Sequence, residues 1–235
     1  MTAAAMQART LHSPRPSADQ VKEILIVDDH PLMCDALALT LKISFGLKHV
    51  RTARSLEAAI EQIKMQGAPD AVILDLNLPD ARGAEGIVTL RRQLPEVPIT
   101  MISADLENAM ISTAMAAGAQ GYISKSLSRE ALVDSLRRMW DGEFVTPDCY
   151  QPEQAGAEDE ARAELARRFA TLTPQQMRIL RLICQGKANK EISYELSIAE
   201  ATVKTHITAI MSKINARRRT QAVLLANSIR LFEAC

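Results

Sequence analysis

Five polar side chains stand where short aliphatic runs end, and together they could carry phosphoryl chemistry. Asp28 and Asp29 close the first run, Asp75 the third, Ser103 the fourth and Lys125 the fifth. Three carboxylates in one place repel each other unless a cation joins them, and Mg²⁺ prefers such oxygen ligands. A carboxylate can itself be phosphorylated, and a cation, an ammonium and a hydroxyl would neutralise or hydrogen-bond the new oxygens.

Asp75 is the candidate reactive group. It ends the run 71–74, whose four apolar residues predict a strand buried on both faces of a parallel sheet. Burying a lone charge is costly, so packing does not explain the aspartate. The alternative is a strand that simply ends at the surface. The turn-rich loop 76–83 weakens that alternative, because ligands of open α/β sheets bind beside loops at the carboxyl ends of strands.

Five strands alternate with five helices in the first half of the chain, which predicts a doubly wound parallel sheet. The predicted strands are Glu23 to Asp29, Lys48 to Val50, Ala71 to Asp75, Ile99 to Ser103 and Gly121 to Lys125. The predicted helices are Leu32 to Ile43, Leu56 to Gln66, Ala84 to Leu94, Asn108 to Ala117 and Arg129 to Trp140. In a flavodoxin-like strand order the polar strand ends meet at one crevice.

Composition separates the chain into two halves. Residues 1–164 carry 16 Lys and Arg against 24 Asp and Glu, whereas residues 165–235 carry 12 against 4. The basic half is a candidate for binding nucleic acid. The sequence contains no run of about 18 apolar residues, so no membrane-spanning helix is predicted. The four cysteines lack CxxC spacing, which argues against zinc and a disulfide framework and fits a reducing cytoplasm.

The second half predicts a small four-helix unit. Thr173, Pro174 and Gln176 form a capping box that begins the first helix, and the third helix is predicted from Glu200 to about Asn215. The polar face of this third helix bears lysine and threonine, which suits a helix-turn-helix reader of the DNA major groove. The alternative is a solvated helix face beside a basic loop.

These motifs resemble those of a known family. The pair Asp28-Asp29, Asp75 with Pro79 and Gly83 behind it, Ser103-Ala104 and Lys125 make residues 22–141 resemble a CheY-like receiver domain. The matching stretches of the second half are 172–174, 185–192, 202–206 and 210–222, which resemble a LuxR-type domain. About nine tenths of the chain is thus similar to a NarL/FixJ-type response regulator.

The resemblance implies a role for each site residue. Asp75 would be the phosphoacceptor, and Asp28, Asp29, Asp75 and the Asn77 carbonyl would hold Mg²⁺. The phosphoryl group would be held by Ser103 and Lys125. Tyr122 falls where the family often has a switch aromatic, although a partly buried aromatic with a hydrated hydroxyl is an equal alternative.

The resemblance also implies partners. These are a sensor histidine kinase, promoter DNA and a second copy of the phosphorylated chain, with RNA polymerase a further candidate and no membrane. The base-reading residues would be Lys204, Thr205 and Thr208, while Thr202, His206, Lys190 and Lys213 would contact phosphate or brace the helix. Six residues depart from the pattern. Ser197 replaces a turn glycine, and Ala199 replaces a capping serine. The others are Arg82 in place of an acidic or amide residue, Ser126 in place of proline, and Gln176 and Arg178 in place of glutamates.

The predicted organisation has four parts: a mobile tail at 1–21, the receiver at 22–141, a linker at 142–164 and the DNA-binding domain at 165–235. A short helix is predicted at 161–168. One rival interpretation is a phosphorylation-independent DNA-binding protein that uses its receiver to dimerise. Another is a haloacid-dehalogenase-like phosphatase, but that chemistry needs an aspartate where Asn77 stands. We therefore expect a regulator and not an enzyme.

Overall fold

A computed structural model describes residues 21–81, 83–151 and 157–232. The predicted mobile tail therefore lies outside the described residues, except for Val21, and so does Arg82. In chain order the first ten elements are β1 Glu23–Val27, α1 Pro31–Phe45, β2 His49–Ala53, α2 Leu56–Gln66, β3 Ala71–Asp75, α3 Glu85–Gln93, β4 Ile99–Ser103, α4 Asn108–Ala116, β5 Gly121–Ser124 and α5 Arg129–Trp140.

The five strands form one parallel sheet in the order β2-β1-β3-β4-β5, so the predicted doubly wound fold is confirmed. Every residue of β3 and β4 is buried, because helices cover both faces of the sheet. Val27 pairs with Leu74, so Asp28 and Asp75 follow as neighbours at the same edge of the sheet. The register of β1 and β3 therefore places the two aspartates in the predicted crevice at the carboxyl ends of the strands.

Five helices follow in the second half: α6 Ala157–Phe169, α7 Pro174–Cys184, α8 Asn189–Glu195, α9 Glu200–Lys213 and α10 Arg219–Ser228. The capping box of Thr173 and Gln176 is present at the start of α7. The apolar side of α9 is buried as predicted, with Val203, Ile210 and Ile214 in the core. This helical unit confirms the all-α part of the predicted fold.

Several boundaries differ from the prediction. β2 runs from His49 to Ala53, beyond the predicted end at Val50, and Lys125 lies one residue after β5. The helix predicted at 161–168 begins earlier, at Ala157, within the predicted linker. It packs along α4, where its buried Leu165, Ala166 and Phe169 join the core. Tertiary burial thus stabilises a helix whose first turn is acidic.

The start of α8 has no side-chain cap. The cap is Ala188, whose side chain has no acceptor. Glu191 reaches back instead, and its Oε2 accepts the Ala188 amide at 2.6 Å.

Among the described residues, no helix is both long enough and apolar enough to cross a membrane.

Candidate functional site

Two of the polar strand ends meet one partly buried ammonium group. Lys125 Nζ lies 2.9 Å from Asp28 Oδ2 and 2.9 Å from Asp75 Oδ2. The Asp28 side chain is fully buried, and that of Asp75 is 3% exposed. Because the lysine follows β5 and the aspartates follow or end β1 and β3, the sheet itself brings the three groups together. The structure thus places these residues as the sequence predicts.

Burial governs the charge state of this cluster. Burial raises the pKa of Asp75, and Lys125 opposes this by hydrogen bonding and by its charge, while Asp28 adds to the increase. Burial also disfavours the charged form of Lys125, but its bonds to Asp75 and Asp28 outweigh this, so its pKa is raised. The lysine therefore stays protonated and holds two carboxylates that would otherwise repel.

The donor set suits a divalent cation. One ligand atom from each of Asp28, Asp29, His30 and Asp75 lies within 4.8 Å of the others. The Oδ1 atom of Asp29 is buried without a hydrogen-bond partner among the described residues, although His30 Nδ1 lies 2.7 Å away. A buried carboxylate oxygen without an aligned donor fits a site that receives a metal ion. These residues therefore fit Mg²⁺.

His30 belongs to this cluster, although the sequence did not single it out. Its Nδ1 lies 3.1 Å from Asp28 Oδ1, and its backbone amide donates to the same oxygen at 2.9 Å. The signal was its position directly after two carboxylates. Side chains of successive residues usually diverge at a strand end, and here the chain turns into α1 and keeps the imidazole close.

The loop after β3 is fixed at both ends. The Asn77 amide hydrogen-bonds the Asp75 carboxylate, and the Asn77 side chain is exposed. The carboxylate of Asp80 accepts the amides of Leu56 at 2.9 Å and Glu57 at 2.8 Å, which caps α2. This loop is therefore held to the neighbouring helix and to the candidate phosphoacceptor.

Ser103 and Tyr122 meet at the loop after β4. Both are buried, and Ser103 Oγ accepts the Asp105 amide at 3.0 Å. The Tyr122 hydroxyl donates to the Asp105 carbonyl at 2.6 Å, so it is not the hydrated hydroxyl of the alternative interpretation. Burial raises the pKa of Tyr122 to about 12, although a hydrogen bond with Ser103 lowers it. The phenol therefore remains a donor.

The predicted reading face of α9 is exposed. The side chains of Lys204, Thr205 and Thr208 all face solvent. Lys204 Nζ lies 3.1 Å from Glu200 Oε1, an exposed pair worth little energy. The two threonine hydroxyls each donate to the helix backbone at 3.1 Å. These contacts leave the threonine methyl groups and the flexible lysine available to base edges.

The remaining predicted DNA residues differ in exposure and in their contacts. Thr202 and Lys190 are exposed, whereas His206 is half-buried. Lys213 Nζ donates to the Thr171 carbonyl at 2.8 Å and to Gln176 Oε1 at 2.9 Å. Of the two predicted roles for Lys213, these bonds favour bracing α9 against the start of α7.

Two of the departures from the family pattern, both at the entry to α9, have a structural consequence. Ser197 has φ of 52°, a left-handed conformation that favours glycine. Ala199 is the N-cap of α9 and provides no side-chain cap. The entry to the reading helix thus lacks two stabilising features.

Comparison with known proteins identifies the two domains. The sequence pattern of the response regulator receiver domain matches residues 24–137, and that of bacterial regulatory proteins of the luxR family matches residues 170–226. A two-component response regulator of this kind carries an acidic receiver site and a DNA-binding domain in one chain. The chain belongs to this family of two-component response regulators with a receiver and a LuxR-type helix-turn-helix domain.

Individual relatives cover nearly the whole chain. The glycerol metabolism activator of Pseudomonas putida is 32% identical over 211 residues, covering 88% of this chain and 96% of that protein. The nitrate/nitrite response regulator protein NarL of Escherichia coli K12 is 32% identical over 209 residues, covering 89% and 96%. The structure of RcsB from Salmonella enterica serovar Typhimurium bound to promoter P1flhDC is 19% identical, with a TM-score of 0.54, covering 89% and 99%. At 19% sequence identity, this last similarity shows only that the two proteins share a fold.

Proposed function

We propose that Asp75 accepts a phosphoryl group from a sensor histidine kinase and that this modification controls sequence-specific binding of promoter DNA. The observation that carries the proposal is the contact of Lys125 Nζ with both Asp28 and Asp75. A partly buried ammonium beside a carboxylate whose pKa is raised by burial is poised to neutralise a new anion.

The chemical step is a displacement at phosphorus. An Asp75 oxygen forms a bond to phosphorus as the bond from phosphorus to the kinase imidazole nitrogen breaks. The imidazole leaves with the electron pair and is reprotonated from solvent. Asp28, Asp29, Asp75 and the Asn77 carbonyl would hold Mg²⁺, which supplies positive charge against the phosphoryl oxygens.

Ser103 and Lys125 then hold the product. The Ser103 oxygen accepts the Asp105 amide, and its own hydrogen, which the hydrogen bond with Tyr122 uses here, would turn to donate to a phosphoryl oxygen. Tyr122 moves together with the same loop because its hydroxyl donates a hydrogen bond to the Asp105 carbonyl. A change at Asp75 is thereby transmitted to the surface after β4, which makes Tyr122 a switch residue.

The helical domain provides the output. Lys204, Thr205 and Thr208 read bases, Thr202, His206 and Lys190 contact phosphates, and Lys213 braces the helix. A phosphorylated homodimer places two such helices on paired half-sites and gains affinity through avidity. RNA polymerase is the further partner at the promoter, and the protein acts in the cytoplasm as a regulator without catalytic turnover.

The test compares DNA binding with and without acetyl phosphate and Mg²⁺, using genomic fragments selected with the phosphorylated protein. Affinity should rise at least about tenfold in the wild type and remain unchanged in Asp75→Asn. Asp35→Asn, an exposed carboxylate on α1, is the matched control and should behave as wild type. An equal rise in Asp75→Asn would reject the proposal. Wild-type affinity that ignores acetyl phosphate would favour phosphorylation-independent binding.

A further inference from the structure

The cluster of Asp28, Asp29, His30 and Asp75 contains one donor atom that is a nitrogen, in the ring of His30. His30 Nδ1 lies 2.7 Å from Asp29 Oδ1 and 3.1 Å from Asp28 Oδ1. The imidazole therefore places a ring nitrogen beside two of the carboxylate oxygens that suit a divalent cation.

The spacing of these donor atoms matches that of ligands on a single ion. All four lie within 4.8 Å of one another. Because Mg²⁺ binds its ligands at about 2.0–2.1 Å, two ligands on opposite sides of one ion lie about 4.2 Å apart. Small rotations of the side chains would therefore bring all four donor atoms onto one cation.

Neither helix capping nor burial accounts for the position of this imidazole. His30 is the N-cap residue of α1, yet its side chain makes no capping hydrogen bond. That side chain is also 69% exposed, so an apolar core does not hold it. Its orientation follows instead from the contacts with Asp28 and Asp29.

The carboxylates leave room for a further ligand. Asp28 Oδ2 and Asp75 Oδ2 each lie 2.9 Å from Lys125 Nζ, so each of these aspartates has one other oxygen for a cation. With Asp29 and the Asn77 carbonyl, the aspartates would fill four positions of an octahedral ion. A phosphoryl oxygen takes a fifth position, and the imidazole can take the sixth.

An imidazole ligand changes which cation a site prefers. Mg²⁺ favours hard oxygen ligands and keeps several waters, whereas imidazole nitrogen binds first-row transition ions well. Exchanging a water ligand for imidazole therefore raises the affinity for an ion such as Co²⁺ more than the affinity for Mg²⁺.

We propose that His30 is a direct metal ligand of the receiver and that it raises the preference of the site for first-row transition ions over Mg²⁺. His30 Nδ1 donates its lone pair to the ion in place of a water molecule. This inference rests on the proposed function, since it assumes that Asp28, Asp29 and Asp75 hold a divalent cation.

The first test detects the nitrogen on the metal. Mn²⁺ is bound to the full chain, and pulsed electron paramagnetic resonance measures the coupling of a directly bound nitrogen to the ion. Wild type should show this coupling, and His30→Ala should lose it. His49→Ala, which removes an exposed histidine on β2, is the matched control and should keep it. Bound Mn²⁺ without the coupling in wild type, or with it in His30→Ala, would overturn the inference.

The second test compares affinities for Co²⁺ and Mg²⁺ by calorimetry. His30→Ala should fold, because it removes an exposed side chain that caps nothing. Its affinity should fall at least about tenfold for Co²⁺ and only about twofold for Mg²⁺. An equal fall for both ions would mean that the imidazole only orients the carboxylates, and would overturn the inference. Wild-type protein that binds neither ion, or unchanged binding in Asp28→Asn, would instead overturn the metal site of the proposed function.

Discussion

Arg181 Nη2 and Glu85 Oε1 lie 2.6 Å apart, and this ion pair joins the DNA-binding domain to the receiver. The Glu85 side chain is 7% exposed, and the Arg181 side chain is 35% exposed. Since a buried ion pair can cost as much desolvation energy as it returns, the pair specifies how the domains dock more than it stabilises them.

Burial raises the pKa of Glu85 to about 7, although Arg181 lowers it and Asp80 adds to the increase. The folded state therefore binds a proton more tightly than the unfolded state, whose value is 4.5. The resulting stability is present below pH 4.5 and is lost as pH rises through 7. Between pH 5.5 and 8 the free energy of unfolding should fall by about 2 kcal/mol more in wild type than in Glu85→Gln. Urea unfolding at both pH values checks this, and equal pH dependence in the two proteins would contradict it.

Lys125 should contribute to stability as well as to chemistry. Removing it in Lys125→Ala leaves Asp28 and Asp75 buried without their cation, which should cost about 3 kcal/mol in urea unfolding. Mg²⁺ should restore part of this loss and stabilise the variant more than the wild type, because the vacated site is more negative. The exposed Lys48→Ala is the control, with a change within about 0.5 kcal/mol. A variant as stable as wild type would show that the carboxylates are not coupled through the lysine.

Ser197 is a site where the chain can be stabilised. Its φ of 52° favours glycine, so Ser197→Gly should raise the free energy of unfolding by about 1 kcal/mol. Ser193→Gly, inside α8, should instead lower it by about 0.5 kcal/mol. Thermal unfolding of both variants measures the difference, and a loss of stability in Ser197→Gly would mean that the serine makes a compensating contact.

Lys204 should determine base preference. Lys204→Ala should reduce the free energy that separates binding of cognate DNA from binding of scrambled DNA by about 1–3 kcal/mol. Lys190→Ala should weaken both DNAs about equally and lower the slope of affinity against salt. Binding titrations at several salt concentrations separate the two effects. Unchanged discrimination in Lys204→Ala would remove this residue from the reading face.

The sequence predicted the features that local patterns encode. Apolar runs ending in Asp28, Asp75 and Ser103 located the strands, and their alternation with helices predicted a doubly wound parallel sheet. The helix at Ala157–Phe169 was only partly predicted, because its acidic first residues resemble a linker and its apolar side is stabilised by α4.

Contacts between distant residues had no local signal. Arg181 and Glu85 are far apart in the chain, and each alone is an ordinary charged residue on an amphipathic helix. The bond of Lys213 to Gln176 is similar, because the sequence marks Gln176 as a capping residue and says nothing of a second partner. Such pairs depend on how helices dock, which periodicity does not determine.

The most direct test of the account is to identify the residue that acetyl phosphate modifies. Phosphorylated protein is reduced with borohydride, which converts an acyl phosphate to an alcohol, and the peptides are sequenced by mass spectrometry. We expect homoserine at position 75, dependent on Mg²⁺, and unmodified carboxylates at positions 28, 29 and 80. Modification at any other aspartate, or at position 75 without a divalent cation, would contradict it.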